Sequence, residues 1–238
     1  MKTIRLDKFL SSQLGAARSE VKKYIRAGRV RLGETVSPSP ETRLDPAADA
    51  VYFDGERIRY QAFVYLMLNK PGGVVSATRD RQKTVLDLVP PELYREGLFP
   101  AGRLDKDTTG LMILTDDGAF AHRILSPSRH IEKAYEVTVT REVTPAERDA
   151  LLSGVRLGDE LLKAAALTRL DRTEPVYEIV LTQGRYHQIR RMFGSQKNPV
   201  SALRRTRMGG LVLDAALGPG ECRSLTPEEV RAVEERAV

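Results

Sequence analysis

A single cysteine, Cys222, in 238 residues rules out an internal disulfide, and histidines as scattered as His122, His130 and His187 give no cluster at zinc-ligand spacing. No apolar run approaches the roughly 18 residues of a spanning helix. Val64–Leu68 and Leu111–Leu114 are among the longest. Charged Arg5, Asp7 and Lys8 interrupt the first residues before a signal-peptide core could form. There is no GxGxxG after a strand, no P-loop and no GxSxG nucleophile elbow, so nucleotide-cofactor and serine-hydrolase chemistry lose their usual markers. These absences lead us to expect a cytoplasmic chain with no membrane partner, no bound metal and no cofactor.

What is present is ordinary globular composition, 41% apolar and 29% charged, with a net charge of +6 that is unevenly placed. Residues 1–31 hold nine Lys and Arg against Asp7 and Glu20, a local charge of +7, while residues 32–60 sum to −3. A second block, Gly184 to Arg207, carries Arg185, Arg190, Arg191, Lys197, Arg204, Arg205 and Arg207 and no acid. Two basic blocks in an otherwise acidic chain point to two places touching one polyanion, the electrostatic footprint of nucleic-acid binding.

Leu6, Phe9, Leu10 and Leu14 predict a helix over about 4–14, and Val21, Tyr24 and Ile25 a second, with Ser19 as N-cap and Gly28 as its stop. Arg18, Lys22 and Arg26 form one basic line on that helix, with Lys23 beside it. Val30–Leu32, a Gly33-Glu34 turn and Thr35-Val36 read as a hairpin, Ser37-Pro38-Ser39-Pro40 as a loop, and Asp54 to Gln61 as a polar linker. The expected domains are 1–60 and 61–238. In the larger one, strands near 63–69, 111–115, 134–140 and 176–182 outnumber helices, two of which open with capping boxes at Thr144 and Thr226. The pattern predicts an α+β fold with a mixed, largely antiparallel sheet.

The conspicuous loop is Gly102-Arg103-Leu104-Asp105-Lys106-Asp107-Thr108-Thr109-Gly110, running into the apolar LMIL strand. Taken alone it admits three readings: a polar turn, a calcium loop with Asp105, Asp107, Thr109 and Asp116 at EF-hand positions, or a mount for a catalytic carboxylate, Asp105. Asp105 with Asp107 also raises the paired carboxylates of a glycosidase. If Gln183 to Phe193 is helical, it buries Ile189, Met192 and Phe193 and presents His187, Arg190 and Arg191 on the opposite side. Those donors can bind phosphates, or one can pair with a carboxylate.

RLDKFL followed by RSEVKKYIRAGRVRLGE resembles the alpha-L RNA-binding module named for a small-subunit ribosomal protein. NKPGGVVS at 69–76, AGRLDKDTTGLMILTDDG at 101–118, EKAYEVTV at 132–139 and GRYHQIRRMF at 184–193, in this order behind that module, resemble bacterial ribosomal RNA pseudouridine synthases, most of all the small-subunit (16S) branch. The resemblance implies a cofactor-free isomerisation of uridine in ribosomal RNA. It makes Asp105 the essential aspartate, Tyr135 the ring that stacks on uracil or assists proton removal, and Arg190 the cation that pairs with the aspartate. Arg5, Lys8, Arg18, Lys22, Lys23, Arg26 and Arg29 of the module, with Arg103, Arg185, His187, Gln188 and Arg191, are the expected RNA contacts. The expected partner is ribosomal RNA or a small-subunit assembly intermediate, bound by a monomer. The alternatives are a large-subunit synthase and a catalytically silent RNA-binding assembly factor.

Overall fold

Apolar residues at helical spacing and short alternating strands build most elements of the computed structural model, which describes residues 3–36 and 38–235. Ser37, the first residue of the expected SPSP loop, lies outside the described residues. The backbone divides into two units: residues up to Val64 with Pro90–Gly97, and Tyr65–Val89 with the chain from Leu98 onward.

In the first unit, Leu6, Phe9 and Leu10 of helix α1 (Leu6–Leu14) and Val21 and Ile25 of helix α2 (Arg18–Arg26) are buried with Val30, Leu44 and Val51. Helix α2 begins one residue before the expected cap, and Ser19 is not its N-cap. That position is Ala17, which has no side-chain cap. An ion pair secures the first turn instead, with Arg18 Nη2 lying 2.7 Å from the buried carboxylate of Asp7 on α1. The Val30–Leu32/Thr35–Val36 hairpin forms as expected. The polar stretch from Asp54 does not begin as a linker. Asp54 and Gly55 both have positive φ, 50° and 85°, and turn the Val51–Phe53 strand into Glu56–Arg57, completing a four-stranded antiparallel sheet. A two-residue Asp-Gly turn matches the twist of a hairpin, and that chemistry outweighs polarity here.

The second unit is built on a nine-stranded sheet. Its main path runs 166–169, 176–181, 133–139, 200–208, 109–115, 65–70, 222–224. The pairing of 200–208 with 109–115 is parallel; the others along the path are antiparallel. The LMIL run is fully buried at its centre. Met67, Leu111, Ile113 and Met208 share a core with Phe120 and Ile124 of helix α3 (Gly118–Leu125), capped by Asp117, which accepts the Phe120 N–H at 3.0 Å. Helix α4 (Pro145–Ser153) opens with the capping box of Thr144 and Glu147. Helix α5 (Gln188–Ser195) packs beside the 200–208 strand. Helix α6 (Pro227–Ala232) repeats the capping box with Thr226 and Glu229. Where the parallel strands meet, Gly110 (φ 98°) leaves no room for a side chain: a Cβ there would sit 2.2 Å from the carbonyl oxygen of Arg205. Among the described residues no helix is long and apolar enough to cross a membrane.

Candidate active site

The GRLDKDTTG loop is held from below by the strand and turn that carry NKPGGVVS. Lys70 ends the Tyr65–Lys70 strand with no exposed surface, and its Nζ donates to the carbonyls of Pro71 (3.0 Å), Lys106 (2.9 Å) and Thr108 (2.8 Å). Burial pushes its pKa down to about 8, against the attraction of Asp107 and Asp105. The Gly73 N–H adds a bond to the Lys106 carbonyl (2.9 Å). Ser76 Oγ both donates to the Leu104 carbonyl (2.8 Å) and accepts the Leu104 N–H (3.1 Å). The residues on both sides of Asp105 are thereby fixed, which limits where its carboxylate can point. Nothing in the sequence pattern marks Ser76 for this role, although it and Lys70 both belong to NKPGGVVS. For Lys70, a lysine separated by one residue from the apolar run YLML was the available signal, because a buried ammonium requires several acceptors.

Asp105, Tyr135 and Arg190, from three distant segments, line one cleft of about 90 Å³. Asp105 is one-third exposed. Tyr135 is 9% exposed and projects from the Lys133–Val139 strand, while Leu181, Ile189 and Leu203 supply apolar walls. Asp107 is exposed and does not line the cleft, so among the described residues no second carboxylate faces Asp105 as a glycosidase requires. The calcium-loop alternative has no helical frame, for strands Phe99–Pro100 and Thr109–Thr115 flank the loop.

The expected ion pair between Asp105 and Arg190 is not formed. Arg190 Nη1 donates to the Val200 carbonyl (3.3 Å), and the group beside the carboxylate is His187, whose Nε2 lies 3.3 Å from Asp105 Oδ1. His187 reaches it because α5 starts only at Gln188: residues 183–187 are a loop, and His187 is left-handed (φ 47°). Gln188, expected on RNA, is buried in the cleft wall, where its Oε1 accepts the Arg185 N–H (3.1 Å) and its Nε2 approaches Met192 Sδ (3.9 Å). Arg103 and Arg185 are exposed and line the cleft, whereas Arg191 pairs with Glu160 (2.7 Å). The second basic block loses its acid-free character in three dimensions: Arg207 meets Glu132 (3.4 Å), and Arg205 is buried, donating from Nε to the Leu111 carbonyl (2.7 Å).

In the first unit the expected RNA contacts separate into two groups. Arg5 and Arg18 clamp Asp7, and Arg5 also bonds Glu41. Burial raises the Asp7 pKa, but hydrogen bonds from both arginines more than offset this and hold it at about 2. Arg29 is tied to Asp54 and stacks over the Tyr24 and Phe53 rings. Lys8, Lys22, Lys23 and Arg26 enter no ion pair among the described residues.

Comparison with known proteins matches both units. The profile of the RNA pseudouridylate synthase family covers residues 64–195, and that of the S4 domain residues 4–49. An uncharacterised RNA pseudouridine synthase of Bacillus subtilis (strain 168) is 42% identical over 98% of this chain and 99% of its own length. Ribosomal small subunit pseudouridine synthase A of Escherichia coli (strain K12) is 40% identical over 97% of this chain and all of its own. The crystal structure of a pseudouridylate synthase superposes with a TM-score of 0.67 at 38% identity, covering 97% of this chain and 99% of that one. Two matched profiles in order and full-length relatives at this identity agree with the pinned aspartate loop and its cleft: the chain belongs to the RNA pseudouridylate synthase family.

Proposed function

We propose that this protein converts uridine to pseudouridine in small-subunit ribosomal RNA, acting as a cytoplasmic monomer on the RNA or on an assembly intermediate. The observation that carries this reading is the convergence of Asp105, Tyr135 and Arg190 on one cleft, with the aspartate loop pinned at Leu104, Lys106 and Thr108. Full-length relatives named for the small ribosomal subunit supply the substrate class.

The isomerisation breaks the N1–C1′ bond, turns the uracil, joins C5 to C1′, and moves one proton from C5 to N1, so atoms balance without a co-reactant. Asp105 supplies the carboxylate that attacks the ribose or the base, or takes a ribose proton. Tyr135, rigid in its strand, stacks on the uracil and stands where the C5 proton leaves. Arg190 is one of the cations lining the cleft, and His187 orients the carboxylate it touches. The target must leave its stack, at a cost of a few kcal/mol that contacts to neighbouring RNA offset. Residues 1–60 hold that RNA through Lys8, Lys22, Lys23 and Arg26, and Arg103 and Arg185 meet phosphates at the cleft.

The test is incubation of purified protein with transcribed small- and large-subunit ribosomal RNA, followed by chemical mapping of pseudouridine. One or a few sites in the small-subunit RNA, and none with Asp105→Asn, are expected. Modification of the large-subunit RNA alone would overturn the substrate assignment, and equal turnover by Asp105→Asn the role of the aspartate.

A further inference from the structure

Tyr186 is 78% exposed, more than any other large apolar or aromatic side chain among the described residues. Yet the ring is not loose. It stacks on the His187 imidazole with centroids 3.9 Å apart and planes within 15°, and His187 in turn lies 3.3 Å from Asp105. The backbone beneath is pinned as well: Arg191 Nη1 donates to the Tyr186 carbonyl (3.4 Å) while bonded to Glu160 (2.7 Å), and the Gln188 N–H donates to the Arg185 carbonyl (3.1 Å). One face of the tyrosine is therefore covered by a cleft residue and the other is open to solvent. Tyr186 itself does not line the cleft, although Arg185 and His187 on either side of it do.

A rigid, half-covered aromatic ring beside an exposed arginine is the arrangement on which unpaired nucleobases stack. Every base has a π-face, and a side chain with two rotatable bonds loses little entropy in receiving one. Withdrawing a uridine into the cleft strips its neighbour of a stacking partner, and a ring at the rim replaces that partner. We infer that Tyr186, backed by His187, is a stacking platform for the nucleobase adjacent to the target uridine, with Arg185 on the intervening phosphate. The inference rests on the uridine-isomerising reading and adds to it a subsite outside the cleft that holds the RNA in its flipped form.

The test pairs protein variants with synthetic RNA. On a small-subunit RNA fragment containing the mapped uridine, Tyr186→Ala should lower kcat/KM by about 5- to 150-fold, the range of base–aromatic stacking. The loss should fall mainly on KM, and Tyr186→Phe should restore most of it. Replacing each flanking nucleotide in turn with an abasic residue should reduce wild-type kcat/KM by a similar factor at one position, with no further loss in Tyr186→Ala. Kinetics of Tyr186→Ala within twofold of wild type, or losses that multiply in the combination, would overturn the platform. The chain has no tryptophan, so Tyr186→Trp also provides a single emitting indole at this place, excited at wavelengths where the remaining tyrosines do not absorb. Quenching of that emission by the RNA fragment, weakened by the same abasic substitution, is expected, and unquenched emission at saturating RNA overturns the inference. Absence of pseudouridine with the wild-type protein would instead contradict the functional reading, and the quenching experiment would still decide on the platform.

Discussion

Asp7 and Lys70 show how far one buried charge can be followed into behaviour. With its pKa near 2 against an ordinary value of 3.8, Asp7 stabilises the fold fully above pH 3.8 and loses that contribution as pH falls toward 2. The amount is about 2 kcal/mol. Thermal melts of the full chain from pH 6 to pH 2 should show a loss in that window, and Asp7→Asn should melt lower at pH 6 and change less with acid. Lys70→Met keeps the length of the side chain but leaves three carbonyls without their donor. A stability loss of about 3 kcal/mol is expected from denaturant midpoints. Turnover should fall further than RNA affinity, because the loosened segment carries Asp105.

Among the elements, α2 is where sequence and structure part most usefully. The spacing of Arg18, Lys22 and Arg26 put all three on one basic line, and a helix does form there. Sequence could not show that Arg18 turns back to a buried aspartate eleven residues earlier, because a fully buried Asp7 within an amphipathic pattern reads as a solvated first-turn acid. The prediction divides accordingly. Replacing Lys22, Lys23 and Arg26 together with Gln should leave the melting temperature near wild type and make the salt dependence of RNA binding shallower by roughly 2–3 units in log K against log salt. Arg18→Gln should instead lower the melting temperature, since it leaves part of the Asp7 charge uncompensated. Titrations at several salt concentrations, with melts of both variants, check this division.

For the whole molecule, the parts written in local chemistry were legible: the capping boxes at Thr144 and Thr226, the strand near 134–140, and the hairpin at Gly33. The cleft was legible only through ordered motifs, because Asp105, Tyr135 and Arg190 meet across sheet pairings that no local pattern specifies. Three features needed the structure. They are the three carbonyls gathered on Lys70, the displacement of Arg190 toward Val200, and the approach of His187 to the aspartate. Each depends on where separate segments meet rather than on residue type. One reaction at one carboxylate carries the proposed function. It is tested most directly by mapping pseudouridine across ribosomal RNA from cells with the gene, without it, and without it but supplied with Asp105→Asn. A small-subunit site should be present with the gene, disappear on deletion and stay absent with the variant; an unchanged small-subunit map, or full restoration by Asp105→Asn, would contradict this function.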